Sequence, residues 1–246
     1  MSTFRSFVIK ENNGKLVSEV ILENTEHLPK GDVLVKVMYS TINSYDIIFS
    51  RENTPFRKNV YPYTPGVDAA GIVIESSSPN YRAGDEVLIF GNGLGLEVPG
   101  GFGQYVSVPE SWIVNLPTGL TMLESMVLGS DGIAAALSVM EIMAAGIQSS
   151  SKDVVVGGSS YGIGAFAVSI LKLCGYNVTA VTGHLEYKDF IKELGASNVV
   201  SFDKFSEDLE KHMLDDKYVA GIDTLGGNVL STMIRSVKGG ATIAVC

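Results

Sequence analysis

"VVVGGSSYGIGAFAVSILKLCGYNVTAVTGH", residues 154–184, reads as a strand, a glycine-rich turn, a helix and a second strand. A turn in that position is where a pyrophosphate rests, held by backbone N–H groups and by the N-terminus of the following helix. Gly158, Gly162 and Gly164 are its glycines, Gly164 being placed for close packing of helix on strand, and Ser160, Tyr161 and Ile163 complete it. Tyr161 is the departure, since such a turn usually holds nothing bulky. It is compatible with binding if its ring points away from the phosphates while its backbone N–H keeps its role. Glycines also serve plain turns, so a polar loop without a ligand stands beside the binding loop as an alternative.

Downstream, strand-like runs recur at "NVVSFD" (198–203), "AGIDTLGG" (220–227) and "ATIAVC" (241–246), with helical stretches such as "KDFIKELGA" (188–196) between them. That alternation predicts an α/β fold with a parallel, doubly wound sheet. Upstream the texture is different. "DVLVKVMY" (32–39) alternates apolar and polar residues, and "GIVIES", "DEVLIFG" and "GQYVSVP" follow with Gly and Pro punctuation, which suits a compact β-barrel. From Thr121 a long helix is predicted over "TMLESMVLGSDGIAAALSVMEIMAAG", with Thr121 and Glu124 in capping-box spacing. Two domains are therefore expected, a β-barrel over 1–121 and a nucleotide-binding domain over 122–246, with the Ser-rich connector "GIQSSSKD" ahead of the first parallel strand.

Composition narrows the function. The chain has 246 residues, 46% of them apolar, and a formal charge of −9 with dispersed Lys and Arg, which argues against nucleic acid as a partner. A small molecule in a local pocket is expected instead. The first dozen residues lack a signal-peptide layout, and no run of about 18 apolar residues stands out as a membrane span, so a cytoplasmic address is expected. Two cysteines, Cys174 and Cys246, suit a reducing compartment and cannot make a four-cysteine metal site.

The end of the second parallel strand bears on the cofactor. A carboxylate there would grip the ribose 2′-OH of NAD and repel a 2′-phosphate, but the residues are Thr182, Gly183 and His184, with Lys188 nearby. NADP(H) is the expected cofactor.

The chain resembles the zinc-free medium-chain dehydrogenases/reductases, and within them the acrylyl-CoA reductase and quinone oxidoreductase-like group, at "PGVDAAG" (65–71), "GDEVLIFGNGLG" (84–95), "GGFGQYVSVP" (100–109) and "AGIDTLGG" (220–227). The resemblance implies a GroES-like barrel followed by a Rossmann-type domain, and hydride transfer from NADPH to an activated C=C bond, as in an enoyl-CoA, or to a quinone. Zinc-containing relatives carry Gly-His-Glu where this chain has Gly66, Val67 and Asp68, so no catalytic zinc is expected. Asn43 and Asp46 match the group's N-x-x-D segment beside the nicotinamide, with Ser44 where a Tyr is usual; alternatively Asn43 and Asp46 only cap a short helix. Ser130 keeps a hydroxyl in the "GSDGIAA" helix start that meets the nicotinamide end, whereas Asp131 adds a charge that either repels cofactor phosphate or faces solvent. Arg51, Arg57 and Lys58 are placed either for a CoA phosphate or as a solvated face. His27 and His212 suggest nothing catalytic.

Members of the group continue past the fifth parallel strand, "KGGATIAVC", where this chain stops, so it reads as a member without its last strand, either a fragment or a shortened protein. An edge left in that way favours self-pairing, as homodimers through residues 241–246 or as aggregation on concentration. Two functions stay open: an active NADPH-dependent reductase, and a non-catalytic NADP(H)-binding or interaction protein derived from the same group.

Overall fold

The computed structural model describes residues 2–51, 61–147, 153–207 and 217–246. It divides into two compact units, Met1–Ser130 and Asp131–Cys246.

The first unit opens with a hairpin that the sequence reading passes over. Strands β1 (Thr3–Asn12) and β2 (Lys15–Asn24) pair antiparallel through Asn13 and Gly14, at φ 52° and 80°. Two successive positive φ values make the tight turn whose twist matches that of the strands, and Asn-Gly is the dipeptide that adopts it most readily. The four strands expected from alternation are present: β3 (Val33–Ser40), β4 (Asp68–Ser76), β5 (Glu86–Phe90) and β6 (Tyr105–Val108), joined by β7 (Ile113–Asn115). They form one antiparallel sheet in the order β6-β3-β4-β5-β7. Its buried side chains, among them Val33, Val35, Val73, Val87, Ile89 and Val106, form the core of this unit. A short helix, α1 (Ser44–Phe49), follows β3.

Helix α2 (Met122–Ala144) starts at the expected capping box. The Thr121 N–H donates to Glu124 Oε2 at 2.8 Å, and the Glu124 N–H donates to Thr121 Oγ1 at 3.2 Å. At Gly129 the backbone turns to φ 54°, ψ −162°, so α2 is two helices merged across a kink. By length and composition alone the merged span passes as apolar enough to cross a membrane, a property that core helices share. Glu124, Ser125, Ser130, Asp131, Ser138 and Glu141 punctuate it, so it holds no unbroken apolar run of that length.

The second unit is the doubly wound sheet. Strands β8 (Asp153–Gly157), β9 (Asn177–Thr182), β10 (Asn198–Ser201), β11 (Tyr218–Asp223) and β12 (Val237–Val245) are all parallel, in the order β10-β9-β8-β11-β12. The intervening helices are α3 (Gly162–Leu173), α4 (Lys188–Glu193), α5 (Phe202–Phe205) and α6 (Gly227–Ser236). Ala135, Val139 and Ile142 of α2 join Ala167, Val168 and Leu171 of α3 in a core with Val154 and Val156 of the sheet. Val155 and Val181 pack with Val229 and Met233 of α6 and with Phe202 and Phe205 of α5. Adjacent valines of β8 thus enter different cores, which is why the strand is a continuous apolar run instead of an alternating one. The strand order reverses direction at β8, so the end of that strand lies at the switch point where open α/β sheets bind ligands.

Candidate active site and nucleotide-binding loop

The turn after β8 is shaped by its glycines. Gly158 has φ 78°, and a Cβ placed on it would stand 2.1 Å from Thr224 Oγ1. The Thr224 hydroxyl donates to the Gly157 carbonyl at 3.0 Å, so β11 closes against the turn. Gly164 lies against the Gly158 carbonyl, where a Cβ would come to 2.2 Å; the expected close packing is thus between helix α3 and the turn itself. Gly162 has φ 56°, a value that glycine adopts without strain. The Gly158 N–H donates to the Val181 carbonyl at 3.0 Å, tying the turn to β9.

Tyr161 is the N-cap of α3 at φ −160°, ψ 173°, extended backbone that any residue adopts. Its ring is 63% exposed, with its centroid 6.2 Å from that of His184, so it leaves the turn outward. Ile163 follows in the first turn of α3, whose internal hydrogen bonds leave the leading N–H groups without helical partners. The Ser160 and Thr182 hydroxyls are hydrogen bonded to each other, and the His184 N–H donates to Thr182 Oγ1 at 2.9 Å. Gly183 sits under the Phe202 ring, where a Cβ would meet it at 2.7 Å. Lys188 opens α4 and lines a cavity with Ser201, Lys204 and Tyr218. Ser160, Thr182 and His184 are therefore joined to the glycine turn by direct contacts.

One group near this loop lies just beyond the residues that the sequence singles out. Residues 182–184 lack a carboxylate, as expected, but Glu186 follows two positions later, with Oε1 3.0 Å from His184 Nδ1. Hydrogen bonds from its own backbone N–H and from His184 hold the Glu186 carboxyl below its ordinary range. Asp131 turns inward: a Cβ on Gly162 would stand 2.9 Å from its Oδ2.

In the first unit the expected catalytic segment surrounds a buried carboxylate. Asp68, at the start of β4, is fully buried. Its Oδ2 accepts from Thr41 Oγ1 at 2.8 Å, from Asn43 Nδ2 at 3.2 Å and from the Ser130 N–H at 2.9 Å, while its Oδ1 accepts from Ser130 Oγ. Asn43 Nδ2 also donates to Thr41 Oγ1 at 2.6 Å. Both amide hydrogens of Asn43 are thereby committed, which leaves its Oδ1 as the side-chain acceptor.

Asp46 is buried on α1, and its two oxygens accept from backbone: Oδ2 from the Asn43 N–H and Oδ1 from the Gly66 N–H, both at 2.8 Å. Asn43 and Asp46 thus form the two halves of the capping box at the start of α1, while the Asn43 side-chain amide nitrogen also reaches Asp68. Burial is the largest influence on Asp46 and raises its carboxyl above the ordinary value; the two N–H donors oppose this and the Asp68 charge adds to it. Tyr63, whose phenol is pushed up to about 12 first by burial and then by Tyr61 and Asp46, stands beside it. Ser44 is exposed at the first position of α1. Gly66, at φ 104°, packs against Gly95, Gly100 and Gly101; a Cβ on Gly100 would come to 2.4 Å from the Gly66 carbonyl. The glycines of "GNGLGLEVPGG" therefore let two loops touch through backbone.

Asp68 is the residue of this site whose role sequence reasoning missed, having weighed it only as a replaced metal ligand. The available signal was a lone carboxylate in the apolar run "VDAAGIV". Among the described residues, no three His, Cys, Asp or Glu side chains gather as a metal site. Arg51 is exposed after α1, and His27 is exposed as the last residue of a short helical turn. Arg57, Lys58 and His212 lie outside the described residues.

Residues 29–118 match the alcohol dehydrogenase GroES-like domain, and residues 162–246 match the family described as zinc-binding dehydrogenase. The putative quinone oxidoreductase YhfP of Bacillus subtilis is 37% identical over 246 residues, covering 100% of this chain and 74% of that protein. Its crystal structure with NAD bound gives a TM-score of 0.89 at 36% identity, again over 100% of this chain and 74% of that one. The probable acrylyl-CoA reductase AcuI of Escherichia coli is 34% identical over 244 residues, covering 98% of this chain and 74% of that protein. The YhdH oxidoreductase of Salmonella enterica, crystallised with NADP, gives a TM-score of 0.93 at 34% identity over 98% of this chain and 74% of that one. This chain belongs to the medium-chain dehydrogenase/reductase family, in the group that includes these quinone oxidoreductase and acrylyl-CoA reductase relatives.

Proposed function

We propose that this protein is an NADPH-dependent oxidoreductase that reduces an activated C=C bond, of the kind found in acrylyl-CoA, or a quinone. The observation that carries this is the Gly158–Gly164 turn at the switch point of the parallel sheet, whose conformation at Gly158 and Gly162 suits a dinucleotide pyrophosphate. The NADP bound by YhdH and the reductase name of AcuI, each matched across 74% of its length, support the same activity. The expected independence from zinc belongs to this proposal.

The glycine turn and the start of α3 would hold the pyrophosphate, with Ser160, Thr182, Gly183, His184 and Lys188 on the side of the adenosine ribose. When bound, the nicotinamide supplies a hydride equivalent. The remaining tasks fall to the chain. Asp68 fixes Ser130 and Asn43, leaving the Ser130 Oγ lone pairs as an oriented acceptor for a ligand amide or hydroxyl. Asp46, with both oxygens engaged by backbone N–H groups, has a positioning role: it holds the N-terminus of α1 against the Gly66 turn.

A second cofactor reading rests on Glu186. A carboxylate beside His184 opposes a 2′-phosphate, and YhfP was crystallised with NAD, so NADH is the alternative reductant.

The test is titration of the protein with NADPH and NADH, followed by steady-state turnover with acrylyl-CoA and with quinones. Saturable NADPH binding and oxidation dependent on an acceptor are expected. A protein that binds neither dinucleotide would overturn the proposal, and one that binds NADPH but turns over no acceptor would leave a binding protein in place of an enzyme.

A further inference from the structure

Two residues after Gly129, α2 carries Asp131, and this carboxylate lies toward the glycine turn. A Cβ built on Gly162 would stand 2.9 Å from its Oδ2 and 3.5 Å from its Cγ. Gly162 is the first residue of α3, a helix of 12 residues. A carboxylate therefore lies beside the start of this helix, the kind of group that the helix dipole and the leading N–H groups favour.

We propose that Asp131 occupies the anion position of the Gly158–Gly164 turn in the cofactor-free protein, and that the dinucleotide pyrophosphate must displace it. The inference rests on the dinucleotide reading of that turn. Oxygen atoms of a pyrophosphate bound at the Gly162 and Ile163 N–H groups would lie within a few ångströms of the carboxylate, and like charges at that separation repel strongly outside bulk water. Asp131 thus stabilises the empty loop, weakens the cofactor complex and hastens release of the dinucleotide.

The experiment compares the full chain with Asp131→Asn, which is isosteric and uncharged, and with Asp131→Ala. NADPH and ADP-ribose are titrated calorimetrically, and thermal unfolding is followed without cofactor. The expected result is an affinity for both ligands on the order of tenfold tighter in Asp131→Asn, together with a lower unfolding temperature for the cofactor-free Asp131→Ala protein. Should Asp131→Ala fail to fold, the isosteric variant still decides the matter. Affinities in Asp131→Asn equal to or weaker than those of the parent overturn this inference while leaving the dinucleotide site intact. Absence of binding in parent and variants alike overturns the dinucleotide reading and this inference with it.

Discussion

Ser130 and Asp68, 62 positions apart in the chain, are joined twice: the Ser130 N–H and its hydroxyl both donate to the Asp68 carboxylate. The carboxylate thereby holds α2 just after its kink and, through Thr41 and Asn43, the connection between β3 and α1. Asp68→Ala strands these donors. It is expected to destabilise the protein by about 2–4 kcal/mol, the range for leaving several partly buried donors unpaired. Asp68→Asn, which retains one carbonyl oxygen, should cost less. Urea denaturation measures both, and a loss below about 0.5 kcal/mol for Asp68→Ala would contradict the anchoring role.

Gly129 is the kink itself. At φ 54° and ψ −162° it occupies backbone space that essentially only glycine uses, and a Cβ would come to 2.9 Å from Thr41 Cγ2 and 3.0 Å from Asp68 Oδ2. Gly129→Ala should lower stability by about 1–3 kcal/mol. It should also weaken cofactor binding, because Ser130 shifts with the backbone. Denaturation and NADPH titration of the same preparation test the two effects together.

Asp46 makes stability depend on pH in an unusual direction. Its folded-state value is raised, so between the ordinary carboxylate value and that raised value the folded protein binds more protons than the unfolded chain. The contribution of Asp46 to stability is therefore fullest below the ordinary value and declines as pH rises through the raised one. Asp46→Asn loses one of the two N–H acceptors and should be destabilised by about 1–3 kcal/mol, with the deficit relative to the parent largest at the acid end. A deficit that grows toward neutral pH would contradict this.

Tyr161 departs from the turn on extended backbone, so the turn's geometry does not require a small residue there. Tyr161→Gly is expected to leave NADPH affinity within about threefold, the scale of lost exposed contacts. An improvement of several orders of magnitude would show that the ring blocks the site.

His184 and Glu186 form an exposed pair beside Thr182. Glu186→Gln should tighten NADPH by roughly two- to fivefold, and His184→Asp should weaken it, while NADH changes little in either variant. Parallel fluorescence titrations with the two cofactors measure this, and equal effects on NADPH and NADH would place the pair away from the 2′-phosphate.

Much of the second unit was legible because its signals are local. The alternation of strands and helices after residue 153 emerges as five parallel strands with helices between them, and the glycine turn stands where the sequence puts it. Thr121 and Glu124 likewise cap α2 as their spacing requires, since both halves of a capping box lie within one turn. The β1–β2 hairpin was missed: Asn13-Gly14 was its local signal, but the two strands give a weaker alternation than the central ones, and Val20 and Leu22 remain exposed.

The sequence by itself determined the α/β class, the family resemblance and the place of the glycine turn, because periodicity, capping and glycine conformation act over a few neighbouring residues. Tertiary structure alone decided what the polar residues do. Asn43 reaches beyond its own helix to Asp68, Ser130 joins the same carboxylate, and Asp131 faces Gly162, contacts that span 25, 62 and 31 positions of chain. A buried hydrogen bond is formed with whichever partner the fold brings within about 3 Å. No spacing along the chain specifies that partner, so such pairs appear only once strands and helices have packed.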